Sequence, residues 1–162
     1  MQDRTDSKAS VQKAEFLSVR VGGQEYAMDI RSVREIRGWI ATTQLPYAPD
    51  FIKGMINLRG QVLVVVDLAR RLGVGSTEPS PASVIVVAEH GRRAVGLLVD
   101  AVCDIVTVTD EMRQKTPDTG SNVPRSYIDG LVMMEDRIIS ILSIAAVVPD
   151  ERLQTMAEET TV

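Results

Sequence analysis

Five carboxylates lie inside or beside apolar segments, where chemistry would need them: Asp29, Glu35, Asp67, Asp100 and Asp104. Two acids in a dry cleft, their ionisation pushed apart by environment, would suit general acid–base work. The spacing argues against that use. Asp67 opens "DLARRLG", which reads as a short helix with Asp67 as N-cap and Gly73 as its stop. Glu35 and Asp104 hold matched places in an internal repeat, so a symmetric role would set them far apart or across a two-fold axis. His90 is the only histidine and Cys103 the only cysteine. His90 adjoins Gly91 at a hairpin tip and reads as a surface residue; Cys103 has no partner histidine in a motif and reads as a passive small residue. A zinc site would need carboxylates for its remaining ligands, and no such spacing is present. Gly22-Gly23 joins two strands, with no following helix and no Lys-Ser/Thr, so it is not a phosphate loop. No catalytic residue, cofactor or metal is expected. The rival is a small ligand-binding or hydrolytic β-barrel using Asp29 or Glu35, which would need a pocket dry enough to raise a carboxyl pKa.

The elements that position these residues are short and apolar. In "EFLSVRV", Leu17, Val19 and Val21 share a period of two; Gly22-Gly23 turns the chain and "QEYAMDI" returns, a β-hairpin. "FIKGMINLRGQVLVVVDL" is a second hairpin with its turn at Arg59-Gly60 and a return strand apolar enough to be buried on both faces. "GVGSTEPSPAS" is a Gly, Ser and Pro linker. The pattern then recurs. Ala27 falls on Gly96, 69 positions later, which brings Ile30 onto Val99, Val33 onto Val102, Glu35 onto Asp104 and Ile36 onto Ile105. Gly54 falls on Gly130, 76 positions later, and "SIAAVV" repeats the short helix before Pro149. The change of offset falls in a loop, where length is free.

The repeat predicts an all-β chain with short helices: two units of about five strands, related by a pseudo-two-fold axis and sharing one aliphatic core. Closing each sheet into a barrel hides its edges. The expected limits are a disordered arm over 1–14, a first repeat over about 15–75, a linker over about 74–82, a second repeat over about 83–148 and a C-terminal helix and tail over 149–162, with Leu153 and Met156 inward. Whether the first hairpin packs in its own unit or exchanges into the other is left open by pattern.

Composition agrees. Of 162 residues, 44% are hydrophobic and only 4% aromatic, so the core must be aliphatic. A net charge of −4 argues against wrapping nucleic acid. "MQDRTDSKAS" has no apolar core of a signal peptide, and no run reaches the ~20 residues that cross a bilayer. A lone cysteine suits a reducing cytoplasm.

What remains unexplained is a surface. Val33 and Ile36 thread through Arg34, Glu35 and Arg37 in "VREIRG", and "NLRG" is charged where a turn needs only polar filler. In the second repeat Arg59 becomes Glu135 and Gly60 becomes Asp136. Two units on one scaffold with different surfaces suit a protein that holds two partners. Trp39 reads equally as an interface anchor or as the cap of a barrel end.

"EFLSVRVGGQEYAMDIRSVREIRG", "LPYAPDFIKGMINLRGQVLVVVDLARRLG", "VGLLVDAVCDI" and "YIDGL" together resemble the CheW family of bacterial chemotaxis coupling proteins, from Glu15 to about Val148. "VMMEDRIISIL" departs from the family in identity while keeping its strand pattern. The resemblance implies two SH3-like five-stranded β-barrels and a non-catalytic adaptor. It implies binding of the cytoplasmic hairpin tip of methyl-accepting chemoreceptors in a groove between the barrels. It implies binding of the CheW-like regulatory domain of the histidine kinase CheA at a barrel end, through residues it does not specify. The groove positions it implies are Val33, Glu35, Ile36, Arg59, Val102 and Ile105, with Glu35 and Arg59 as an acid–base pair. The expected place is the cytoplasm, with recruitment to the membrane in receptor arrays only through the receptors, and no nucleic acid is expected to bind.

Overall fold

A computed structural model describes residues 13–115 and 123–161. Eleven strands and three short α-helices are present among them. They run β1 (Lys13–Val21), β2 (Gln24–Asp29), β3 (Val33–Gly38), β4 (Ile52–Leu58), β5 (Gln61–Asp67), α1 (Leu68–Leu72), β6 (Val84–His90), β7 (Arg93–Val99), β8 (Ala101–Thr109), β9 (Arg113–Gln114), β10 (Ile128–Met134), β11 (Arg137–Leu142), α2 (Ile144–Val147) and α3 (Glu151–Thr161). Most of the expected arm lies outside the described residues, but Lys13 and Ala14 already belong to β1.

The local signals act where the sequence places them. Arg59 (φ 51°) and Gly60 (φ 88°) make the left-handed turn between β4 and β5. Asp67 caps α1 by accepting from the Arg70 N–H at 3.4 Å, and Gly73 ends it in the left-handed conformation. Ser143 caps α2 in the same way, accepting from the Ala146 N–H at 3.3 Å. On α3, Leu153 is buried and Met156 packs half-buried against a small cluster of Leu45, Met55, Val64 and Ala157.

The strand order settles the hairpin question. A five-stranded sheet runs β3-β6-β7-β5-β4, and a six-stranded sheet runs β9-β10-β11-β2-β1-β8. Each repeat therefore lends its first hairpin to the other's barrel. β6–β7 complete the barrel of β3, β4 and β5, while β1–β2 complete the barrel of β8 to β11. The five-stranded barrel is one stretch of chain, Val33 to Val99, whereas the six-stranded barrel joins β1–β2 to β8–β11 around it. The register obeys the two-fold: the parallel pair Val65–Gly96 in one sheet matches Ile141–Ala27 in the other. Gly54 and Gly130 are matched too. A Cβ on Gly54 would lie 2.6 Å from the Thr43 carbonyl oxygen, and one on Gly130 would lie 3.0 Å from that of Gln114. Both have strongly positive φ, so glycine lets a neighbouring segment close over the start of each strand: the bridge at Thr43 over β4 and β9 over β10.

Burial follows from the exchange. Leu17, Val19, Met28, Val86, Ala88, Leu97 and Val99 point from the lent hairpins into one core between the sheets. Phe16 and Ala27 face the core of the six-stranded barrel; Ile85, Val87 and Leu98 face that of the five-stranded one. β5 is buried on both faces as expected, with Leu63 and Val65 inside its barrel, Val66 in the shared core and Val64 beneath α3.

Because β1–β2 find their partners only in the second repeat, residues 1–78 alone should lack cooperative structure. Mixing them with residues 79–162 should restore a β-type circular dichroism spectrum and one melting transition. A first fragment that melts cooperatively alone would show that the hairpin can close on its own repeat.

Candidate functional site

Val33 and Ile36 are three positions apart, a spacing that in a regular strand points side chains to opposite faces. The structure brings them to one face with a β-bulge. Val33 pairs with Ala88, but Glu35 pairs with the next residue, Val87, and Ile36 with Val86, so β3 carries one extra residue. Ala88 and Val86 both face the shared core, and Val33 and Ile36 lie on that side. β8 repeats the device: Val102 pairs with Val19 and Ile105 with Leu17, with an extra residue between them. Val19 and Leu17 also face the shared core. The two strips are thus matched halves of one seam. Val33 and Val102 pack half-buried on the core, whereas Ile36 and Ile105 are 48% and 56% exposed.

Glu35 and Arg59 do meet. Arg59 donates through Nη2 to Glu35 Oε1, and Arg37 Nη1 donates to Glu35 Oε2 at 3.3 Å. Glu35 lies within β3, and only Arg59 is on a turn. β3 and β4 are opposite edges of their sheet, so this pair ties β3 to the turn that leaves β4, and Arg34 Nη1 adds a bond to Gln61 Oε1, at the start of β5, at 3.0 Å. Glu35 pairs across with Val87, which faces the barrel interior. The pair therefore lies on the opposite face of β3 from Ile36 and holds the strand rather than continuing the apolar strip.

The second barrel closes differently, through a cluster the sequence reading missed. Arg137, on β11, donates to Glu25 Oε2 and Oε1 and to Asp104 Oδ1, the last at 3.4 Å. The fully buried Ser18 hydroxyl donates to Glu25 as well. Arg137 sits two residues beyond the repeat partner of Arg59, which is Glu135. The sign change at the turn was visible; a shift of the arginine to the strand that follows was the signal that went unused.

The acids behave as ion-pair members. The Arg59 guanidinium, and then Arg37, hold the Glu35 carboxyl below the ordinary glutamate range. Arg31 does the same for Asp29, which accepts from the Arg31 N–H at 2.9 Å and from its Nη2 at 2.7 Å. Glu25 is lowered chiefly by Arg137. A hydrolytic role for Asp29 or Glu35 needs a carboxyl raised by a dry pocket, and both are shifted the other way. Among the described residues no group of three His, Cys, Asp or Glu is arranged to hold a metal ion, and no helix is long and apolar enough to cross a membrane. His90 and Cys103 are exposed. Trp39 packs half-buried on the core of the five-stranded barrel, the second of its two readings.

A family model of the CheW-like domain matches residues 15–152. The chain is 47% identical to the chemotaxis protein CheW of Rhizobium meliloti over 137 residues, which covers 85% of this chain and 88% of that protein. It is 31% identical to CheW of Bacillus subtilis, covering 83% and 86%. Among solved structures it is similar to the scaffolding protein TtCheW from Thermoanaerobacter tengcongensis, with a TM-score of 0.78, 27% identity and coverage of 86% of this chain and 90% of that one.

The ion pair makes a sign prediction. A carboxyl whose folded pKa is depressed contributes stability above its unfolded value, and that contribution is lost as pH falls through the folded value. Glu35 should titrate by NMR below the ordinary 4.5. It should move upward in Arg59→Gln, with the fold unchanged. A Glu35 titration indifferent to Arg59 would show that the two do not pair in solution.

Proposed function

The chain belongs to the CheW-like family, and from that membership we propose that it is a non-catalytic adaptor coupling chemoreceptors to the kinase CheA. In this reading the cytoplasmic hairpin tip of a methyl-accepting chemoreceptor lies in the seam between the barrels. Val33 and Ile36 face it from one side, Val102 and Ile105 from the other. The CheW-like domain of CheA takes a barrel end. The protein works in the cytoplasm and reaches the membrane only through the receptors.

The observation that carries the reading is the matched pair of bulges. Each bulge turns two aliphatic side chains, three positions apart, to the seam face, and leaves the outer one exposed. An apolar strip contributed equally by two bodies suits an amphipathic helix, whose anchors recur at three and four positions. Apolar contact supplies the affinity; charges along the rim supply orientation. Glu35 and Arg59 fix the edge strand that carries Ile36, and this gives them a part in recognition without a place in the strip itself.

Receptor and kinase should bind together, since a seam and a barrel end are different surfaces. In sedimentation or calorimetry, a soluble receptor cytoplasmic fragment, this protein and the CheA domain should form a ternary complex. Complete displacement of the kinase domain by saturating receptor fragment would refute separate sites. The individual affinities should be modest, with multivalency in an array supplying the rest.

Single reversals, Glu35→Arg or Arg59→Glu, should leave the melting curve near that of the wild type and weaken receptor binding about ten-fold, the scale of a rim charge turned repulsive. Kinase binding should stay near normal. The double reversal should recover part of the loss, because it restores the bridge from β3 to the turn after β4 but inverts the sign offered to the receptor. Unchanged receptor affinity in both single variants would remove the pair from the site.

A further inference from the structure

Arg71, near the end of α1, lies between two aromatic rings. Its Cζ is 4.3 Å from the centroid of Phe51 and 5.4 Å from that of Tyr127. The rings are repeat partners, 76 positions apart. Each is anchored in its own unit by the same backbone bond: the Phe51 carbonyl accepts from the Asp67 N–H, and the Tyr127 carbonyl from the Ser143 N–H, both at 2.8 Å. Both rings pack on the core between the barrels. Arg71 Nη2 also donates to the Ala146 carbonyl of α2 at 3.4 Å, while its Nε is buried with no hydrogen-bond partner among the described residues. A bare N–H in an apolar seam is unfavourable, and the ring faces offset it, since cation–π attraction strengthens as water is excluded. The repeat partner of Arg71 is Val147, which is fully buried. One cation thus serves both rings of an otherwise symmetric pair.

We infer that Arg71 is a positioning residue for the seam. It sets the angle between the barrels, and with it the spacing of Val33 and Ile36 from Val102 and Ile105. The inference rests on the adaptor reading and extends it to what governs the groove. Val33 and Val102 pack on the same core as Phe51 and Tyr127, so a tilt that moves one pair moves the other. α1 is locked by Leu68, Ala69 and Leu72 within that core, which leaves Arg71 little freedom to follow a displaced ring. Besides the shared apolar core, the units are tied by hydrogen bonds at turns and loops. Thr77 donates to Asp100 at 2.9 Å, the Gly22 N–H donates to Asp100 at 3.0 Å, and Arg93 donates to the Pro149 carbonyl at 2.9 Å. Such bonds bend with small rotations. A planar group wedged between two ring faces must lose contact with one of them.

The test uses the full chain carrying Cys103→Ser, with spin labels at Arg92→Cys and Asp136→Cys, two exposed turn tips in different barrels. Distances are measured on the free protein. Affinities for a soluble receptor cytoplasmic fragment and for the CheA domain are measured on unlabelled protein. Arg71→Met should shift or broaden the inter-barrel distance and weaken receptor-fragment binding about ten-fold, the scale of a mutation acting through a packed network, with kinase-domain affinity unchanged. Arg71→Lys, which keeps the charge but not the planar face, should fall between. An unchanged distance distribution overturns the inference, as does a parallel loss of both affinities. If Arg71→Met does not fold, Arg71→Lys decides by the same distance measurement. A folded wild type that does not bind the receptor fragment defeats the adaptor reading, while the distances in the free protein still decide whether Arg71 sets the angle.

Discussion

The reciprocal loan of β1–β2 and β6–β7 is the constraint from which the rest of this structure follows. Each lent hairpin sits inside a sheet rather than at its edge. Each therefore has one face in a barrel and the other against its counterpart. Phe16 and Ala27 serve the first purpose while Leu17, Val19 and Met28 serve the second; Ile85 and Val87 are divided from Val86 and Ala88 in the same way. Burial of the larger of these side chains, the Val, Leu, Ile, Met and Phe residues, is worth about 1.5–3 kcal/mol each. Returning a hairpin to its own repeat would strip both cores at once. Two bodies too small to be secure alone become one folding unit.

The edges left over by that arrangement carry the two strips proposed for recognition. β3 and β8 are edge strands, and an edge strand tolerates a bulge because only one ladder must accommodate it. The bulge turns Val33 with Ile36, and Val102 with Ile105, toward the seam. The Glu35–Arg59 bridge closes one barrel and the Glu25–Arg137–Asp104 cluster closes the other. The symmetry is kept where packing needs it and dropped where surfaces face outward. Arg59 and Glu135 share a backbone conformation with opposite charge, and α3 covers β5 of one barrel. That division suits the proposed adaptor role, for a fully symmetric molecule would present the same surface twice.

Much of this was legible in the chain itself. Period-two alternation marked the strands, glycine and arginine marked the turns, and Asp67 and Gly73 marked the helix, because those signals act within a few residues. The duplication was legible as well, and with it the matched places of Val33 and Val102 and of Ile36 and Ile105. What pattern could not decide is which hairpin pairs with which sheet: the alternation of β1 satisfies either barrel, and only the complementarity of side chains more than 60 residues apart selects one. The same limit hid Arg137, whose partners Glu25 and Asp104 come from strands 112 and 33 positions away. It also hid the direction of Ile36, since a bulge is a property of the pair of strands. Local physics wrote the elements; long-range packing chose their neighbours.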